Sequence, residues 1–177
     1  TTPHGMTVTD WQREIGHQIL RSIANHIRTG RLGLTLVAGI HDHIHLYFAE
    51  QIRKHGLGDY VGVGINIVSA ESKEAYFKAF NQALRSADIL WTKPSELSFY
   101  AGLGVPIIIA PPIGSQEKFN KYWLEVVGAG VPQEEPNFTH EWILDYIDKG
   151  WLAEAALKGY LEVTRKGVEN IKKVVFL

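Results

Sequence analysis

Short apolar runs alternating with helix-period stretches constrain this chain more than any other feature. Leu32 to Ile40, Tyr60 to Val68, Asp88 to Thr92 and Pro106 to Ala110 are the runs. Each is brief, rich in Ile, Leu and Val, and closed by Gly, Pro or a polar residue, as buried strands are. The run Ile107-Ile108-Ile109 is as apolar as a central parallel strand requires. Between the runs the period changes to that of a helix, at His43 to His55, Ser72 to Arg85, Ser95 to Leu103 and Ser115 to Val127. Strand and helix in alternation predict βαβ units, and so a mostly parallel sheet covered by helices on both faces. The fold class is α/β, a Rossmann-like three-layer sandwich.

The ends of the chain read as helical. Thr9-Asp10-Trp11-Gln12 has the form of a capping box. Trp11, Ile15, Ile19, Ile23 and Ile27 then follow at spacings of four, so residues 1–30 are expected to hold a leading helix that stops near Gly30. Residues 128–138 read as a loop. Residues 138–177 read as C-terminal helices, with Phe138, Trp142 and Tyr146 on one and Trp151 to about Lys166 on the next.

At 177 residues and 45% hydrophobic composition, the chain fits one domain with its own core. Eighteen basic against nineteen acidic residues lack the surplus of a nucleic-acid binder. Without cysteine there is no disulfide, thiolate metal site or thiol nucleophile. No apolar run approaches the roughly 20 residues of a membrane helix, and no signal peptide is recognisable. A cytoplasmic setting is the default expectation. The opening Thr1-Thr2-Pro3, with Met6 the only methionine, reads as an internal cut in a longer polypeptide.

In open parallel sheets ligands bind beyond the carboxyl ends of the strands. Three loops leave such ends with polar residues. Gly39-Ile40-His41-Asp42-His43-Ile44-His45 places His41 or His43 at a helix N-terminus, suited to an anionic ligand. The same three histidines, if extended, would point one way as metal ligands, and they also read as a plain polar cap; no second His or carboxylate cluster supports a metal. Thr92-Lys93-Pro94-Ser95-Glu96 offers Ser95 and helix-start N–H groups as a diphosphate seat, with Lys93 adding charge. Alternatively, Ser95 only caps the helix and Glu96 only complements its dipole. In the third loop, Gln116 and Asn120 lie four apart on one helix face, where their amides suit sugar hydroxyls. A solvated polar first turn is the alternative. Gly62 and Gly64 sit inside a strand pattern, and no Gly-x-Gly-x-x-Gly dinucleotide fingerprint is present.

Taken together, Ala87 to Pro94, Leu103 to Ile109, Gln116-Glu117-x-x-Asn120 and Gly128-Ala129-Gly130 resemble the C-terminal domain of GT-B glycosyltransferases. The nearest likeness is to the group of the peptidoglycan lipid-intermediate N-acetylglucosaminyltransferase and the monogalactosyldiacylglycerol synthases. The likeness covers about residues 87–131. It implies a UDP-sugar donor, with Gln116, Glu117 and Asn120 facing the sugar and Ser95 near the diphosphate. It also places Gly39 to His43 where that family has its Gly-rich first loop. Two positions depart from the family: Gly-Ile-His-Asp-His replaces a Gly-Gly-Ser-type loop, and Phe99 stands where an acid binds the ribose. The implied partners are an N-terminal acceptor domain of the same parent chain and a lipid-linked acceptor at a membrane surface. No cofactor is implied.

In such enzymes the catalytic base belongs to the other domain, so no catalytic residue is assigned here. The donor half stabilises the departing diphosphate electrostatically. Three rival readings remain open: a sugar-nucleotide epimerase half, a non-catalytic binding module on the same scaffold, and a metal hydrolase built on His41, His43 and His45.

Overall fold

The computed structural model describes residues 4–8, 13–95 and 97–175. Its strands are β1 (His4–Val8), β2 (Leu32–Gly39), β3 (Ile65–Ser69), β4 (Ile89–Thr92), β5 (Ile107–Ile109) and β6 (Gly130–Pro132). The α-helices are α1 (Arg13–Arg28), α2 (Asp42–Lys54), α3 (Lys73–Arg85), α4 (Leu97–Gly102), α5 (Ser115–Val127), α6 (Thr139–Asp148), α7 (Trp151–Glu162) and α8 (Gly167–Val175). The strands form one sheet in the order β3-β2-β1-β4-β5-β6, and every neighbouring pair is parallel. With helices on both faces, the molecule is a three-layer α/β sandwich.

Side chains alternate along each strand, and so the sheet builds two cores. Ile89, Trp91 and Ile108 face α1, α2 and α6, where they meet Ile19, Ile23, Phe48 and Ile143. Leu90, Ile107 and Ile109 face α3, α4 and α5, where they meet Phe80, Leu97 and Leu124. Each such side chain, fully buried, contributes about 2 kcal/mol. Ile19, Ile23 and Ile27 bury the predicted stripe of α1. Beside them Gly16 lets α2 approach closely, because a Cβ there would lie 2.9 Å from the ring of Phe48.

Several boundaries differ from expectation. The segment read as leading up to a helix contains β1, which sits at the centre of the sheet between β2 and β4. Met6 and Thr7 are buried there, and the backbone N–H of Gly5 donates to Asp88 Oδ2 at 2.6 Å. The proposed capping box and Trp11 lie outside the described residues. Residues 60–64, read as strand, instead close the single-turn helix Gly58–Tyr60 and run on into a turn in which Gly62 takes φ +84°. The strand proper starts at Ile65, because the Val–Gly alternation ahead of it imitates a strand's period without supplying a pleated backbone. Gly130–Pro132, read as loop, adds the parallel edge strand β6. Gly114 is the N-cap of α5, and Ser115 is its first helical residue. After α7 the chain makes a further helix, α8, whose Val168, Ile171, Val174 and Val175 are all exposed. Among the described residues, no helix is long and apolar enough to cross a membrane.

Candidate functional site

The strand order reverses between β1 and β4, which makes their carboxyl ends the topological switch point where such sheets bind ligands. Val8 and Thr92 end there, and the three loops singled out from the sequence all leave this same edge. Between Val8 and Arg13 the chain runs through residues 9–12, outside the described residues. The loop from Gly39 to His43 follows β2, one strand away from the switch point.

Gly39 turns the chain out of β2 at φ +66°, a conformation that costs a residue with a Cβ about 1–2 kcal/mol. His41 is the N-cap of α2, and its carbonyl accepts from the N–H groups of Ile44 and His45. Its side chain makes no capping bond, and its ring lies 5.7 Å from that of His43, with both residues exposed. This pair of imidazoles stands at a helix start, where partial positive charge gathers. His45 is turned away from them, its Nδ1 2.8 Å from Ser69 Oγ at the end of β3. Helical backbone from Asp42 onward breaks the every-second-residue alignment that a three-histidine metal site would need. Among the described residues, no group of three His, Asp or Glu side chains is placed to hold a metal.

The turn after β4 is built differently. Lys93 and Pro94 are buried, and Ser95 is exposed, with its N–H donating to the Lys93 carbonyl at 2.8 Å. Glu96 lies outside the described residues. Asn120, on the first turns of α5, clamps this turn: its Nδ2 donates to Pro94 O at 2.9 Å and reaches Ser95 O at 3.5 Å. Asn120 and Ser95 are thus brought together, a contact that spacing along α5 does not foretell, and the amide nitrogen read as a sugar contact is spent on the loop.

Glu117 is also engaged. Its Oε2 accepts from the backbone N–H of Ile113 at 2.7 Å and so closes the loop between β5 and α5. Gln116 is exposed on the first turn of the same helix. Beyond them, Gln133 follows β6: its N–H donates to Ile109 O, and its Oε1 accepts from the buried Trp91 indole at 3.0 Å. Sequence reasoning missed Gln133 because it missed β6; the polar residue two places after Val131 was the available signal.

A cleft of about 460 Å³ opens at the opposite, amino edge, lined by His4, Asp88 and Pro106 with Leu152 and Ala156 of α7. Its walls are mostly apolar, and Asp88 is already bonded to Gly5. The carboxyl edge, by contrast, joins imidazoles, a hydroxyl, amides and a carboxylate around helix starts. That combination suits an anion linked to a polyol.

No protein-family model matches the chain, and no curated protein matches it. Solved structures do. The C-terminal CMP-Kdo binding domain of WaaA from Acinetobacter baumannii matches with a TM-score of 0.65 at 11% identity, over 90% of this chain and 88% of that one. UDP-GlcNAc 2-epimerase from Neisseria meningitidis, solved bound to UDP-GlcNAc, gives 0.61 at 10% identity, over 97% of this chain and 44% of that one. The glycosyltransferase SnogD from Streptomyces nogalater gives 0.54 at 18%, over 98% and 42%. The chain therefore spans less than half the length of the latter two proteins, and nearly all of the isolated WaaA domain. It has the three-layer, all-parallel fold of the C-terminal Rossmann-like domains of GT-B glycosyltransferases.

Proposed function

We propose that this chain is the nucleotide-sugar donor-binding half of a glycosyltransferase, completed by an acceptor domain. The observation that carries the reading is the turn at Pro94 and Ser95, held by Asn120 at the carboxyl edge of the sheet. A diphosphate seated there would meet Ser95 and the helix starts, with His41 and His43 close to the same edge and Lys93 preceding the turn. Gln116 would face the sugar, as would Asn120 Oδ1 and the second oxygen of Glu117. Fixed donors of this kind stabilise charge as it develops on a leaving diphosphate, without reorganising at that moment.

In this reading the half binds donor and does not turn it over, since a second domain supplies the base and shields the reaction from water. The matched structures name both CMP-Kdo and UDP-GlcNAc. UDP-sugar is the donor class that the motif likeness favours. A cytoplasmic enzyme working at a membrane surface on a lipid-linked acceptor fits the same likeness.

Calorimetric titration of the purified chain with UDP, UDP-GlcNAc, CMP and CMP-Kdo tests the proposal. Saturable heat with the UDP ligands, abolished by Asn120→Asp, is expected. Silence at millimolar concentration of all four would leave a binding module with a borrowed scaffold. Turnover of a UDP-sugar by the chain alone would refute the division of labour. The likeness to the epimerase favours a second reading, an epimerase half, which a product assay on the full-length parent separates from transfer.

A further inference from the structure

α6 carries a concave surface that the nucleotide-sugar reading does not use. Trp142, Asp145, Tyr146 and Lys149 lie three or four residues apart and so share one flank of the helix and the turn that ends it. With Glu134, Glu135 and Phe138 ahead of the helix and Trp151 after it, they line a cavity of about 400 Å³. Its aromatic wall is continuous: ring centroids are 5.3 Å apart between Trp142 and Tyr146, and 5.1 Å between Tyr146 and Trp151. Phe138 and Trp151 are about half exposed, at 53% and 47%, and form its rim.

The polar edges of the rings are anchored. The Trp142 indole donates to Glu135 O at 3.0 Å, and the Tyr146 hydroxyl donates to Glu134 Oε1 at 3.2 Å. Glu134, Glu135, Glu141 and Asp145 make the cavity strongly negative, against Lys149 as its one lining cation. Burial, reinforced by Glu134, pushes the Tyr146 phenol up to about 12. Most telling is Lys149 itself. Its ammonium is 5.5 Å from the centre of the Trp151 ring and 2.7 Å from Asp145 Oδ2. The cavity thus already holds an alkylammonium between an aromatic face and a carboxylate, and that ammonium belongs to a flexible, half-exposed side chain able to swing away.

We propose that the cavity between α6 and the start of α7 is a binding site for an organic cation, an alkylammonium or guanidinium head, for which Lys149 is a built-in competitor. The ligand head would replace the Lys149 ammonium over Trp151, with Asp145 as its counter-ion and the other carboxylates drawing it in. A free amine and a basic side chain of a polypeptide present the same head to this site.

The test is titration of the purified chain with tetramethylammonium chloride and, separately, with an acetylated, amidated Gly-Arg-Gly peptide, following the Trp151 indole resonance. Sodium chloride at matched ionic strength is the control. Saturable shifts are expected with both, and tighter binding of the peptide would identify a polypeptide source. Lys149→Met, which removes the competitor, is expected to bind tetramethylammonium about fivefold tighter. Trp151→Ala, followed at the Trp142 indole, is expected to lose binding, and Asp145→Asn to weaken it while leaving the rings in place. Three results would each overturn the proposal: no shift beyond the sodium chloride control in both wild type and Lys149→Met, unchanged affinity in Lys149→Met, or undiminished binding in a folded Trp151→Ala variant.

Discussion

The two halves of the sheet, on either side of the switch point, equip the same edge in opposite ways. On the β1-β2-β3 side the loop at Gly39 leaves His41 and His43 exposed, with no capping bond from the His41 side chain to the helix behind it. On the β4-β5-β6 side the polar groups are spent on the protein: Asn120 on Pro94 and Ser95, Glu117 on Ile113, Gln133 on Trp91. One half presents exposed side chains on a plain turn, and the other presents a turn whose shape is bonded in place. Preorganisation and contact are therefore divided between the halves, and mutations on the two sides should fail differently.

The largest effect is expected at the bonded half. Asn120→Asp replaces two amide hydrogens with a carboxylate facing the carbonyls of Pro94 and Ser95, and leaves those acceptors without a donor. It should cost about 2 kcal/mol of stability, read from urea midpoints, and abolish donor binding together with it. Full stability with lost binding would place Asn120 on the ligand alone and break the contrast.

A smaller, cleaner effect belongs to the other half. The double variant His41→Ala, His43→Ala removes exposed rings, so stability should stay within about 0.5 kcal/mol of the parent. Affinity for a nucleotide sugar should fall about tenfold, the worth of one charge-assisted hydrogen bond. Calorimetry on the same samples reads both quantities. Unchanged affinity would remove the histidines from the site and leave the donor to the bonded half.

How much of this was legible beforehand follows the strength of the local signal. β2, β4 and β5 announce themselves because Leu34, Leu36 and Val37, Ile89-Leu90-Trp91 and the Ile107 to Ile109 run are buried by helices on both faces. Parallel alternation then places their exit loops at one edge, which is why the helix starts at Ser95 and Gln116 could be expected to converge there. β1 was invisible, since His4-Gly5-Met6-Thr7-Val8 has neither an apolar run nor a clean alternation; its strand state comes from pairing with β2 and β4. β6 is three residues ending in proline, a turn signature in isolation. The partners of His45, Glu117 and Asn120 were equally hidden. Side-chain bonding to Ser69, Ile113 and Pro94 depends on how loops approach one another in space, and spacing along a helix fixes only which face a side chain shares.

The smallest effect expected is in pH dependence, and it too divides by half. His55, at the end of α2, stacks on His17 of α1 with their Nε2 atoms 3.1 Å apart. Burial holds the His55 pKa below its ordinary 6.5, and His17, Arg21, Arg28 and Lys54 lower it further. His26 is lowered in the same way, by burial first and then by Arg31 and His140, against a raising bond from the His140 backbone. A lowered histidine pKa means that the unfolded chain binds more protons just below 6.5, so the stabilisation is complete above that value and is lost as pH falls through the folded-state pKa. The urea midpoint should therefore drop between neutrality and about pH 5, above the range where carboxylates titrate. In the C-terminal half Tyr146 is raised to about 12, and its contribution is intact below 10 and is lost as pH rises from 10 through 12. His17→Gln removes the ring stacked on His55, lifts one of the lesser causes that lower the His55 pKa and should flatten the acid-side slope while leaving the alkaline side alone. A midpoint that is flat from neutrality to pH 5, or a slope that His17→Gln leaves unchanged, would show that the histidine stack is not where the acid sensitivity resides.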